Sequence, residues 1–132
     1  MNSIAKGTFQ VKLMPLVFEG QADGSKLARL SIDKEIKGDL KAVTSGQMLS
    51  ATTDTQGSAG YVAIERVTGT LQGRKGSFVL QHTGAMNRGQ PTLLVSVVPD
   101  SGTAELAGLQ GTFNIIVADG KHSYEFAYSL PA

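Results

Sequence analysis

The stretch GYVAIERVTGTLQGRKGSFVLQHTGAMN, residues 60–87, decides the fold. Two runs of alternating side chains flank Gly73-Arg74-Lys75-Gly76, the pattern of a β-hairpin. With Arg74-Lys75 as a two-residue loop, Phe78 pairs with Leu71, Leu80 with Gly69, His82 with Val67, Gly84 with Glu65 and Met86 with Ala63. Side chains alternate across a strand, so these ten residues share one face. The other face carries Thr70, Thr68, Arg66, Ile64 and Val62 against Val79, Gln81, Thr83, Ala85 and Asn87. The first face is more apolar near the turn and is placed inside. It also holds Tyr61, Glu65 and His82. On this register Glu65 and His82 are diagonal neighbours, about 7–8 Å apart at Cα and within side-chain reach.

The rest of the chain reads the same way. Strand-like runs cover Gly7–Phe18, Leu27–Ile36, Leu40–Thr53, Tyr61–Gln72, Ser77–Asn87, Thr92–Val98, Thr112–Ala118 and His122–Leu130, bounded by Gly, Asp-Gly and Pro-Asp. The Lys26–Lys41 segment admits a helical reading, but Ala28, Leu30, Ile32 and Ile36 fall on one parity, which favours a strand. Asp119-Gly120 is a type I′ hairpin signal. It pairs Val117 with His122, Ile115 with Tyr124 and Phe113 with Phe126, an aromatic face with Tyr128 nearby. One helical turn is expected over Asp100–Ala107, capped by Ser101 or Thr103 and stopped by Gly108. Gly73–Phe78 echoes Gly108–Phe113: each is a glycine-bounded turn before Ser/Thr-Phe. Met1–Lys6 and Gly20–Ser25 are the expected flexible segments. Eight strands with short connections are the pattern of an all-β up-and-down barrel or a sandwich, one domain over residues 1–132.

Composition narrows the function. The 132 residues carry 12 Lys plus Arg against 11 Asp plus Glu, a net charge of +1, so nothing favours nucleic acid or an anionic membrane. The absence of Cys removes disulfides, iron–sulfur clusters and thiolate chemistry. Charged residues make up only 17%, which favours a compact barrel or a homo-oligomer. No leader-like or membrane-spanning run is visible, and a cytoplasmic location is the expectation. P-loop and G-x-S-x-G signatures are missing. Lys34, Lys37 and Lys41 interleave with Asp33, Glu35 and Asp39 and read as a solvated mixed-charge face.

The chemistry-bearing candidates are few. Glu65 and His82 form a candidate acid–base pair on the inner face; the plainer reading is two core polar groups satisfying each other. Tyr61 and Tyr124 could line a ligand cavity with them, or pack as core aromatics with hydroxyls at the rim. His122 sits beside a turn, where it is solvated. Two His forty residues apart make a poor metal site, and neither metal nor cofactor is expected.

Further residues carry a resemblance. Gly60–Leu71, Gly76–His82, Val98-Pro99-Asp100-Ser101-Gly102-Thr103, Leu106–Leu109 and Asp119–Tyr124 together resemble a bacterial family of unknown function that looks like the allene-oxide-cyclase-type barrels. Gly102-Thr103, Leu106-Ala107-Gly108 and Gly111 are similar to a corner motif of those barrels. The resemblance implies an all-β fold, a closed eight-stranded antiparallel meander barrel, and no activity; the cyclase's catalytic residues have no matching positions here. Three functions fit: a barrel binding a small apolar or amphipathic molecule around Tyr61, Glu65, His82 and Tyr124; a cofactor-independent isomerase or cyclase using Glu65 or His82; and a packed barrel serving assembly, for which Leu93–Val98 is apolar on both parities.

Overall fold

The alternation of residues 60–87 persists along the chain. The computed structural model, which describes residues 2–20 and 26–131, resolves it into eight strands. They are β1 (Asn2–Leu16), β2 (Leu27–Gly38), β3 (Leu40–Thr52), β4 (Ala59–Leu71), β5 (Arg74–Asn87), β6 (Gln90–Val97), β7 (Gln110–Ala118) and β8 (Lys121–Ser129). Each strand pairs antiparallel with the next, and β8 returns to β1, closing a meander barrel. A 3-10 turn at Ala104–Leu106 is the only helical element among the described residues, and no helix is long and apolar enough to cross a membrane.

Closure corrects the expected start of the first strand. Residues 2–6 are part of β1, and Asn2–Phe9 pair with Ser129–His122. Without them β8 would present an unpaired edge, and Ala5, fully buried, would lose its place in the core. Of the other expected flexible stretch, 20–25, all but Gly20 lies outside the described residues.

The β4–β5 hairpin turns at Gln72-Gly73 rather than Arg74-Lys75. Both turn residues have positive φ, 46° and 88°, as a type I′ turn requires, and Leu71 faces Arg74. Against the expected register, β5 slides four residues along β4. Phe78 pairs with Val67, Leu80 with Glu65, His82 with Ala63 and Gly84 with Tyr61. An even slip leaves every side chain on its face, so the inner set is unchanged and Glu65 and His82 stay diagonal. The Asp119-Gly120 hairpin has the expected pairs.

The seam between β6 and β7 is thin, with the single paired position Ser96–Thr112. The 98–109 loop compensates by acting as a partner for β5. Thr103 N donates to Ser77 O at 2.9 Å, Ser77 N donates to Thr103 Oγ1 at 3.0 Å, and Val79 N donates to Ser101 Oγ at 3.0 Å. The two expected cap hydroxyls thus serve the sheet, and Thr103 makes no side-chain cap on the short turn. Leu106 and Leu109, both buried, plug this end of the barrel together with Leu40, Leu71 and Phe78. The echoed Ser/Thr-Phe turns deliver Phe78 and Phe113 onto one ring, Phe126, at centroid distances of 5.7 and 5.6 Å. Burying each such side chain contributes roughly 1.5–3 kcal/mol.

The opposite end is open. There Leu13, Met86, Leu93 and Val117, all on inward register positions, are exposed.

Candidate functional site

Between the plug and the open mouth, the barrel's waist carries charge. Ile32, Lys34 and Ile36 share one parity of β2, and all three point inward and are buried. Lys34 is therefore not part of a solvated charged face, as its interleaving with Asp33 and Glu35 suggests; those two acids point outward and are exposed. Its ammonium lies 2.7 Å from Glu65 Oε1 and sits over the rings of Phe9 and Phe113, 5.1 and 6.0 Å from their centroids. The signal was present in the sequence: Lys34 has the parity of Ala28, Leu30, Ile32 and Ile36.

Glu65, fully buried on β4, receives a second partner across the diagonal. His82 Nε2 on β5 is 2.6 Å from the same Oε1, and His82 is 3% exposed. Burial by itself would raise the carboxyl pKa. The hydrogen bond from His82, and the charge and hydrogen bond of Lys34, more than offset burial and bring it down to about 2. An ionised carboxylate only accepts, so His82 Nε2 carries its hydrogen and donates. Glu65 Oε2 has no hydrogen-bond partner among the described residues.

The chain of contacts continues toward the mouth. His82 Nδ1 is 3.2 Å from the hydroxyl of Tyr61, whose ring stands 6.0 Å from the imidazole. Tyr61 is part-buried, and burial, with the charge of Glu65 behind it, raises its pKa and keeps the phenol protonated. Gly84 faces Tyr61 across the hairpin, and only a glycine leaves room for the ring: a Cβ there would lie 2.4 Å from Tyr61 Cε1. Tyr61 also lines the pocket of about 340 Å³ at the mouth, with Met48, Ser50, Gly84, Met86 and Leu93. Neither Glu65 nor His82 lines it; Tyr61 is their link to it.

Tyr124 has a different role from the one its sequence position suggests. Its hydroxyl accepts from Leu40 N at 3.0 Å and reaches the carbonyls of Lys37 and Leu40 at 2.9 and 3.1 Å, fixing the β2–β3 corner. Gly7 and Gly38 make way for it. The ring stacks on Phe113 at 5.0 Å, so Tyr124 supports the waist from behind and does not line the mouth. Tyr128 is hydrogen-bonded to Gln72 at the plugged end. His122, expected in solvent, points inward, partly buried, 5.2 Å from the Phe9 ring.

A broader groove, about 940 Å³, crosses the outer wall between Arg29, Leu49, Val62, Ile64 and Arg66. It is larger than the mouth, but the wall separates it from the buried cluster. Of the strand expected to be apolar on both faces, Val95 and Val97 are buried while Leu93 and Leu94 are exposed. Among the described residues no three of His, Cys, Asp and Glu come together as metal ligands.

These features define a class: a closed meander barrel, plugged at one end, with a Lys–Glu–His–Tyr hydrogen-bonded chain leading from its waist to an apolar mouth. The chain belongs to the family described as "Protein of unknown function (DUF3224)", whose model matches residues 5–128. It is similar over the whole of both chains, at 48% identity and a TM-score of 0.93, to a crystal structure of a DUF3224 family protein of unknown function from Shewanella oneidensis. No curated protein matches it.

Proposed function

We propose that the barrel binds a small, uncharged, apolar or amphipathic molecule in its mouth, packed against the ring of Tyr61. One observation carries the reading: a pocket of about 340 Å³ with apolar walls opens at the mouth, and Tyr61, the outermost member of the buried chain, lines it. Small-molecule sites combine apolar walls with a few placed polar groups and begin at roughly 300 Å³. No lining residue is charged, which disfavours an ionic ligand.

Saturation-transfer NMR with 2-octanone tests the reading, alongside native mass spectrometry of protein purified from its own host. Transfer to the ketone that is lost in Met86→Lys and Leu93→Asp, both at exposed rim positions, supports it. Transfer that survives both substitutions, or no transfer together with a bare-chain mass, overturns it.

A further inference from the structure

The outer wall that carries the broad groove differs from the rest of the barrel's exterior. Over positions 43–49 of β3, 62–68 of β4 and 77–85 of β5, the outward parity holds a single charged residue, Arg66. Val43, Leu49, Val62 and Ile64 stand there instead, 60, 44, 52 and 51% exposed. By contrast, β1, β2 and β8 carry outward charges of both signs, with Lys6 paired to Glu125 and Lys37 to Glu35. We propose that the β3–β4 wall is the interface of a two-fold homodimer, held in register by reciprocal Arg66–Asp33 pairs between the copies. This is independent of ligand binding at the mouth.

The register supplies the complementarity. Asp33 faces Ser45 across β2 and β3, and Ser45 faces Arg66 across β3 and β4, so the three form one row with Ser45 in the middle. The acid and the base point outward and are exposed. Neighbouring strands lie about 4.8 Å apart, which sets the two backbones about 10 Å apart on either side of β3. Neither Asp33 nor Arg66 enters an ion pair among the described residues, although Lys12 faces Asp33 on β1.

A second copy laid face to face, with the two-fold axis in the plane of contact and along β3, exchanges the two sides of β3 and keeps every row at its level. Arg66 then lies over the partner's Asp33, and Asp33 over the partner's Arg66. An axis across the strands does not do this. It keeps β4 over β4, where no outward residue from 62 to 68 is acidic. Along β3, the same axis sets Val43, Gln47 and Leu49 against their own counterparts. The Gln47 amide both donates and accepts, so the two amides satisfy each other. Ile64 packs over the partner's Ser31, which shares its row on the far side of β3.

The packing is of an ordinary kind. Stacked sheets keep their strands within about 30° of each other, which an axis close to β3 gives. The face spans β2 to β5 over about seven residues, roughly 20 Å by 20 Å. Over both copies that is about 800 Å² in projection and more in accessible area, the small end of specific interfaces. The dimer is accordingly reversible, with a dissociation constant on the order of 10 μM.

Sedimentation velocity of the full chain, from about 1 to about 500 μM, tests this. Wild type should pass from monomer to dimer across the range. Arg66→Asp and Asp33→Arg each set like charges against each other and should each weaken association about 100-fold or more. Mixed in equal amounts, the two variants should recover a dimer of wild-type strength, because each altered position then faces its opposite in the other copy. Ile64→Lys should abolish the dimer. All three positions are exposed, and melting curves establish that each variant is folded. A wild type that stays monomeric throughout overturns the proposal and leaves the wall to another occupant. A dimer that survives Ile64→Lys or Arg66→Asp overturns it, and so does a mixture of the two charge variants that stays monomeric.

Discussion

Replacing Lys34 with Met separates the two readings of the charged stretch around it. On a solvated face the change is worth less than about 0.5 kcal/mol. In the barrel, Lys34 is 7% exposed and its ammonium is 2.7 Å from a carboxylate that is fully buried. Removing one partner of such a pair strands the other charge in the interior, which costs about 3–5 kcal/mol. At roughly 3–4 °C per kcal/mol for a chain of this size, the melting point should drop by about 10–20 °C. Urea unfolding at pH 7, followed by circular dichroism, gives the free energy directly. Adding Glu65→Gln removes the stranded charge and leaves a carbonyl to accept from His82, so the double variant should be more stable than Lys34→Met alone by about 2 kcal/mol. If Lys34→Met lies within 1 kcal/mol of wild type, Lys34 is not inside the barrel.

The same carboxylate sets an acid response. Its pKa falls from an ordinary 4.5 to about 2 on folding, so below about pH 5 the unfolded chain binds a proton that the folded one does not. Stability is complete above that range and declines as pH falls toward 2, by about 3 kcal/mol from this group; Glu65→Gln should flatten that part of the pH–stability curve. Gly84→Ala places a methyl 2.4 Å from Tyr61 Cε1 and 3.2 Å from Leu93 Cδ1. It should cost about 1–3 kcal/mol and move the His82 Nδ1 resonance as Tyr61 leaves it. Tyr124→Phe should cost about 1–3 kcal/mol by unpairing the Leu40 N–H and the Lys37 carbonyl, with no change in ketone binding at the mouth. Weakened ketone binding in that variant would return Tyr124 to the site.

What was legible in the sequence follows from the period of a strand. Parity survives any even error of register, which is why Glu65 and His82 are recovered as inward diagonal neighbours although the hairpin turns two residues earlier than the Arg74-Lys75 reading has it. The turn itself is harder to read, because Gln72 is not one of the residues that favour positive φ and the flanking Gly73 and Gly76 suggest a symmetric loop around Arg74-Lys75. Lys34 is lost to a competing habit: among Asp33, Glu35 and Lys37 a lysine reads as surface, and only its parity says otherwise. Tyr124 has the right face and the wrong height. Alternation gives the side of the wall but not the level along the barrel axis, and the level depends on Gly7 and Gly38, which let the ring seat over the β2–β3 corner. Ser50 leaves no trace in the hairpin pattern, because its pairing with Tyr61 depends on the β3–β4 register rather than on a short turn.

The placement of charge constrains the interior more than its amount does. A barrel meant only to be filled gains little from Lys34, Glu65 and His82, since packed apolar groups of similar volume are as stabilising as a buried ion pair or more so. The three are not scattered. They meet at one carboxylate oxygen, and the chain they form runs in one direction, toward the end where Leu13, Met86, Leu93 and Val117 are left in the open. At the other end, where Leu106 and Leu109 close the barrel, the polar side chains are spent on backbone and on one another: Ser101 and Thr103 on β5, Tyr128 on Gln72. A structural pin would serve equally at either end. The polar chain ends instead at Tyr61, whose ring lines the apolar pocket, and that asymmetry supports the binding proposed above.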